Sequence, residues 1–263
     1  MKIQGRTFIV SGGASGLGRA CILDICSRGG YAAILDLHAE AGNELVNEIG
    51  RGKTRFFECD VTETESIASA VKGSLAWVKE TGMEVGGVIT AAGVGNPAKI
   101  LDRHLNPFSL SDFDFVMNIN VRGTIDLIRQ LLPHMAQTTP VGEDGERGIV
   151  VMVSSSAAFD GQPGQVSYAA SKGAIASLTL PMTRDLSRYG IRVVTLAPSM
   201  FDSRMTSMLS EKARASLKRV MEFPPRPGQP HEFAQLVTQS IENIMLNGVV
   251  LRLDGGMRMP SKM

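Results

Sequence analysis

Tyr168 and Lys172 stand four residues apart in Val166-Ser167-Tyr168-Ala169-Ala170-Ser171-Lys172-Gly173-Ala174. On a helix that spacing puts the phenol and the amine on one face. An isolated tyrosine titrates near pH ~10 and is a poor base at neutral pH. A cation ~4 Å away, at an effective dielectric of ~20, is worth about 4 kcal/mol, enough to lower that pKa by roughly three units before desolvation opposes it. Such a pair can exchange a proton with a secondary alcohol or ketone while a hydride moves to or from the carbon, the chemistry of a dehydrogenase.

Ser155 lies thirteen residues before Tyr168, at the end of the apolar run Ile149–Ser154, where its hydroxyl can hold a substrate oxygen. Ser154 and Ser156 offer the same group, and spacing does not choose among the three. Asn120, within Asn118-Ile119-Asn120-Val121, has two readings. One is local hydrogen bonding, as mid-helix asparagines usually make. The other is a hold on a backbone carbonyl and on a water that carries protons outward from Lys172.

Upstream, the run Ser11-Gly12-Gly13-Ala14-Ser15-Gly16-Leu17-Gly18 joins a strand-like segment to a helical one. Gly12 permits a tight turn, Gly16 lets backbone N–H groups approach a pyrophosphate, and Gly18 lets the helix pack near the strand. The phosphates of a dinucleotide would then meet the positive end of a helix dipole. Asp36, about 20 residues further on, can accept hydrogen bonds from ribose hydroxyls and repel a 2′-phosphate. Leu37 follows it, and no Arg or Lys interrupts the glycine run before Arg19, so NAD is expected over NADP. Asp60-Val61 can hold the adenine, although Asp60 can equally cap a helix beginning near Glu63.

The elements that must position these groups alternate. Thr7–Val10, Ala32–Leu35, Thr54–Glu58, Val85–Thr90, Ile149–Ser154, Ile191–Leu196 and Val249–Leu253 read as strands. Helices are expected at Gly16–Arg28, Ala39–Ile49, Glu63–Thr81, Ser111–Gln137, Val166–Arg188 and Glu232–Asn247. Alternation of this kind, with several strands apolar throughout, signals an α/β fold: one Rossmann-type doubly wound domain over residues 1–263, with a parallel sheet of about seven strands and helices on both faces. Thr138–Gly148 is polar and turn-rich and reads as an exposed loop. The segment at about 199–230, with helical character near Ser203–Met221, lies beyond the carboxyl end of a strand and is placed to cover a substrate.

Composition bounds the class. A net charge of +1 over 263 residues gives no general field for nucleic acid or an anionic membrane. Cys21, Cys26 and Cys59 lack metal or disulfide spacing, and buried free thiols are expected, with no metal site. No apolar run approaches a membrane span, and the chain enters folded sequence at once, so neither a membrane anchor nor a cleaved leader is expected. Ser261-Lys262-Met263 is close to the S-K-L tripeptide read by the peroxisomal import receptor, so the peroxisomal matrix is the expected location, with mitochondrial or cytosolic location as alternatives.

The set Gly12, Gly16, Gly18, Asp36, Asn120, Ser155, Tyr168 and Lys172 resembles the short-chain dehydrogenase/reductase family across essentially the whole chain. The resemblance implies that Tyr168 is the acid/base, that Lys172 lowers its pKa and binds the nicotinamide ribose, that Ser155 orients the substrate, and that Asn120 holds a proton-relay water. It further implies NAD contacts from Ser11, Ser15, Leu17, Leu37, Val61, Ala92, Gly93 and Pro198. Two departures stand out: the usual Asn-Asn-Ala-Gly is here Thr90-Ala91-Ala92-Gly93, and the usual Pro-Gly is Pro198-Ser199. The backbone shape is expected to survive both. Ser155-Ser156-Ala157-Ala158-Phe159-Asp160-Gly161-Gln162, Thr179-Leu180-Pro181 and Leu251-Arg252-Leu253-Asp254-Gly255-Gly256-Met257-Arg258-Met259 are similar to the type 2 3-hydroxyacyl-CoA dehydrogenase (type 10 17β-hydroxysteroid dehydrogenase) subfamily. That similarity implies acyl-CoA substrates and a homotetramer. A hydroxysteroid or other secondary-alcohol dehydrogenase is the competing enzyme reading, and a structural or RNA-associated subunit the non-enzymatic one. Lys99, Arg103 and His104 are candidate contacts for coenzyme A phosphates, against ordinary solvation. Pro181 should kink or restart its helix.

Overall fold

The computed structural model describes residues 1–202 and 221–259. Seven strands, β1 (Thr7–Ser11), β2 (Tyr31–Asp36), β3 (Thr54–Glu58), β4 (Val85–Thr90), β5 (Gly148–Val153), β6 (Ile191–Pro198) and β7 (Val249–Leu253), pair in parallel in the order β3-β2-β1-β4-β5-β6-β7. The order reverses at β1, which opens a crevice beyond the carboxyl ends of β1 and β4.

Apolar runs make this sheet because both faces are covered. Phe8 and Val10 of β1 pack on one side with Ile149, Val151 and Val153 of β5, against α1 (Gly16–Ser27) and α7 (Pro230–Glu242). Ile9, Val150 and Met152 face the other side, against α3 (Thr64–Thr81), α5 (Thr124–Met135) and α6 (Val166–Leu186). Each fully buried aliphatic of this kind contributes roughly 1.5 to 3 kcal/mol. The remaining helices are α2 (Ala39–Ile49) and α4 (Leu110–Met117). The three cysteines are buried free thiols, as expected.

Four expectations change. The helix read over Ser111–Gln137 is α4 and α5 joined by a π-helical turn at Asn118–Gly123 that carries Asn120. Such turns have no hydropathy signature. Pro181 does not restart α6, which runs through it; the carbonyl it deprives of a donor belongs to exposed Ser177, where water can serve. The last helix starts earlier, with Pro230 in its first turn, and ends at Glu242 instead of Asn247. Its end is set by buried Arg192, whose guanidinium donates to the carbonyls of Ser240, Ile241, Asn243 and Leu246. Finally, the Thr138–Gly148 loop is exposed only at its tip. Glu146 is buried, accepts from Arg192 at 2.8 Å and pairs with the Met1 amine at 2.6 Å. The helical stretch expected near Ser203–Met221 and the tail Ser261-Lys262-Met263 lie outside the described residues, apart from Met221 itself.

Candidate active site

β1 ends in a turn that only small residues fit. Gly12 has φ +64°, and a Cβ there would stand 2.7 Å from the Ala92 nitrogen; a Cβ on Gly18 would stand 2.2 Å from the Gly12 carbonyl oxygen. The turn delivers the chain into α1, whose N-cap, Ser15, makes no side-chain cap. The first N–H groups of α1 are therefore left for an anion. At the end of β2 the Asp36 carboxylate accepts from Ala14 N–H at 3.0 Å and His38 N–H at 3.1 Å, which aims it at the rim of the same crevice. Exposed Leu37 lies beside it. Asp60 does not cap α3; it accepts from the Thr62 N–H at 2.8 Å and hydroxyl at 2.7 Å, folding Asp60-Val61 into a turn that lines the cleft.

The resulting cleft has a volume of about 580 Å³ and runs from Asp36, Asp60 and Val61 past Gly16 and Leu17 to Ala92, Gly93, Ser155, Tyr168, Lys172 and Pro198. Its size, its glycine turn and the Asp36 carboxylate at its ribose end fit NAD. Ser11 corrects the sequence reading. It is buried at the end of β1, with its carbonyl accepting from Ala91 N–H and its hydroxyl from Ala92 N–H, so it braces the cleft wall from behind. The Ala91-Ala92-Gly93 path is thereby fixed despite the departure in sequence, although the hydroxyl of buried Thr90 has no partner among the described residues. Ser199 bonds Leu253 through its backbone N–H and the Met257 sulfur through its hydroxyl.

Among the three serines, geometry decides. The Ser154 hydroxyl donates to the Lys172 carbonyl at 2.7 Å, and the buried Ser156 hydroxyl has no partner among the described residues. Ser155 alone meets the Tyr168 hydroxyl. It sits beyond β5 at the head of a short 3₁₀ turn, Ser156–Ala158, where its Oγ also accepts from Ala157 N–H at 3.1 Å. Lys172, one turn after Tyr168 on α6, donates from Nζ to the Val153 carbonyl at 2.9 Å, with Nζ 5.8 Å from the Tyr168 ring centre. Burial pulls this amine down to about 8. Tyr168 departs from the expected direction: burial pushes its phenol above the ordinary value, and only the Ser155 hydrogen bond opposes this. In the protein alone the Lys172 amine is turned to Val153 and does not offset that desolvation.

Asn120 is buried and bonds across the fold instead of locally. Its Oδ1 accepts from Val94 N–H at 2.8 Å, and its Nδ2 donates to the Val94 carbonyl at 2.9 Å and to Ser171 Oγ at 3.0 Å. The π-helical turn thus ties the irregular segment that follows Gly93 to α6. A Cβ at Gly93 would lie 3.2 Å from Asn120 Oδ1 and 3.3 Å from Lys172 Nζ, so glycine there keeps both groups close.

A doubly wound parallel sheet with a glycine turn at its switch point, and a serine–tyrosine–lysine set at the carboxyl edge of β5, defines a dinucleotide-dependent oxidoreductase. The family model for short chain dehydrogenase matches residues 6–214. The chain is 40% identical over 258 residues to 3-hydroxyacyl-CoA dehydrogenase type-2 of Drosophila melanogaster, covering 98% of this chain and 99% of that one. It is 38% identical over 259 residues to 3-hydroxyacyl-CoA dehydrogenase type-2 of Homo sapiens, covering 98% and 97%. Among solved structures, 3-hydroxyacyl-CoA dehydrogenase type-2 from Mycobacterium avium superposes with a TM-score of 0.91 at 34% identity over 98% of each chain. The chain belongs to the short-chain dehydrogenase family and is an NAD-dependent dehydrogenase.

Proposed function

We propose that this chain oxidises (S)-3-hydroxyacyl-CoA to 3-ketoacyl-CoA, the third step of β-oxidation. The observation that carries the reading is the 40% identity, spread over almost the whole of both chains, to a dehydrogenase of that name. The cleft supports it with one converging proton-transfer set.

Bound NAD supplies the acceptor for the hydride that leaves C3. Ser155 holds the substrate oxygen, and Tyr168 Oη takes its proton. Lys172 binds the nicotinamide ribose and, when charged, favours the phenolate. Asn120 keeps one Oδ1 lone pair beyond its bond from Val94, enough to hold a water that carries the proton away from Lys172. The lid read at about 199–230 falls mostly outside the described residues, whereas Lys99 and Arg103, which line a cavity of about 500 Å³ beside Ala98, meet coenzyme A phosphates together with His104. Half-exposed Phe115 on α4 and Ile125 on α5 suit assembly into a homotetramer. Import into the peroxisomal matrix through Ser261-Lys262-Met263 rests on those three residues, and loss of punctate signal from an N-terminal fluorescent fusion when they are deleted is its test.

NADH absorbance over a panel of (S)-3-hydroxyacyl-CoA esters, hydroxysteroids and simple secondary alcohols tests the substrate reading. A kcat/KM for one of the esters at least tenfold above every steroid supports it; the reverse order selects the hydroxysteroid reading. No turnover on any member, with an RNA mobility shift, selects the non-enzymatic one.

A further inference from the structure

Outside the cleft, a cluster of charges ties the far edge of the sheet to the serine turn. Arg252, in β7, donates from Nη2 to Asp160 and from Nε to Asp254 Oδ2 at 2.6 Å, while Arg258 holds the same Asp254 oxygen at 2.9 Å. The Arg252 guanidinium also lies over Phe159, 5.1 Å from the ring centre, and the backbone N–H of Met259 bonds Asp160. Asp160 and Phe159 close the turn that Ser155 opens: Ala158 N–H donates to the Ser155 carbonyl at 3.0 Å, and the N–H groups of Phe159 and Asp160 to the Ser156 carbonyl at 3.0 and 2.9 Å. Gly161 then passes so near α6 that a Cβ would stand 3.3 Å from that of Ala169, the neighbour of Tyr168.

From this geometry we infer that Arg252 is a positioning residue for catalysis: by clamping Phe159 and Asp160 it fixes the Ser155 turn, and so the angle at which the serine hydroxyl meets Tyr168. Three features argue for a clamp over incidental surface pairing. The carboxylate is reached from two directions, by Arg252 and by the Met259 N–H. The guanidinium is itself oriented by Asp254 and by the Phe159 ring. Both side chains of the pair are less than a quarter exposed, so solvent screens them only in part. The inference rests on the reading of Ser155 as the substrate-orienting group.

A double-mutant cycle tests it. Arg252→Gln and, as a near-isosteric second probe should the first not fold, Asp160→Asn should each lower kcat about ten- to a hundredfold, the scale set by small misplacements of a catalytic group, with NAD affinity held within about threefold. Arg252→Lys should restore part of the loss. In a Ser155→Ala background, Arg252→Gln or Asp160→Asn should cost little more, because the group being positioned is already gone. Full additivity on Ser155→Ala, or parallel loss of NAD affinity and kcat, would overturn the positioning role while leaving Ser155 in place. A Ser155→Ala enzyme with wild-type kcat would instead remove the serine reading, and this inference with it.

Discussion

The Lys172 ammonium nitrogen stands 2.9 Å from the carbonyl oxygen of Val153, the last residue of β5 and the second before Ser155. The cation of α6 is thereby anchored to the strand that delivers the serine, and the Ser154 hydroxyl returns the tie by donating to the Lys172 carbonyl. Strand and helix fix each other, and Tyr168 is held between them.

Tyr168→Phe deletes only the transferable proton and leaves the ring in its packing. Turnover should fall at least a hundredfold, the loss that general acid/base catalysis normally supplies, while NAD affinity measured by calorimetry stays near wild type. Lys172→Ala should damage both. A Tyr168→Phe enzyme keeping more than about a tenth of wild-type rate would remove the assignment.

Burial has a second consequence at Lys172. The amine is charged in the unfolded chain up to its ordinary value of 10.5, but in the fold only up to about 8. Between those values the unfolded state binds the extra proton, so this site adds stability as pH rises through that window and costs the fold below it. At 1.36 kcal/mol per pH unit, the cost at neutral pH is roughly 3 kcal/mol. Lys172→Met, free of NAD, should therefore resist urea better than wild type at pH 7, with the advantage shrinking toward pH 10. A difference independent of pH would contradict this.

Cofactor choice rests on Asp36. Replacing it with Ser and Leu37 with Arg removes the charge that repels a 2′-phosphate and adds one that binds it. Charge-assisted hydrogen bonds of about 1.5 to 3 kcal/mol translate into a ten- to hundredfold fall in the ratio of kcat/KM for NAD to that for NADP. Equal use of the two cofactors by the unmodified protein would sink the reading.

Much of this was legible in the residues. Seven strands could be read because runs such as Ile149–Val153 are apolar without interruption, which is what a sheet covered on both faces demands. Tyr168 and Lys172 were legible because helical spacing alone puts them on one face. The choice of Ser155 over Ser154 and Ser156 was not, since it depends on where β5 ends and which hydroxyl turns toward α6. Nor was the work of Asn120, whose partners at Val94 and Ser171 are brought to it by the π-helical turn. Long-range polar pairs are the hardest to read: Arg192 and Glu146 are 46 positions apart, Arg252 and Asp160 92, and no periodicity links them.

The Arg192 site makes a prediction of stability alone. Its guanidinium meets Glu146 and the last carbonyls of α7, all inside the protein. Arg192→Leu strands those carbonyls and leaves the buried Glu146 carboxylate with the Met1 amine alone, and should cost about 3 to 5 kcal/mol in urea denaturation. A loss under 1 kcal/mol would mean that water or the Met1 amine serves them as well.

The central claim concerns which hydroxyl is oxidised, and stereochemistry tests it most directly. Purified protein with saturating NAD should reduce it at the expense of (S)-3-hydroxybutyryl-CoA or a longer (S)-ester, and should leave the (R)-isomer nearly untouched, because with the oxygen held by Ser155 and Tyr168 and the acyl and coenzyme A arms on fixed sides, only one isomer would turn its C3 hydrogen toward bound NAD. The NADH signal should vanish in Tyr168→Phe. Equal rates on the two isomers, or NADH formation that survives Tyr168→Phe, would contradict the account.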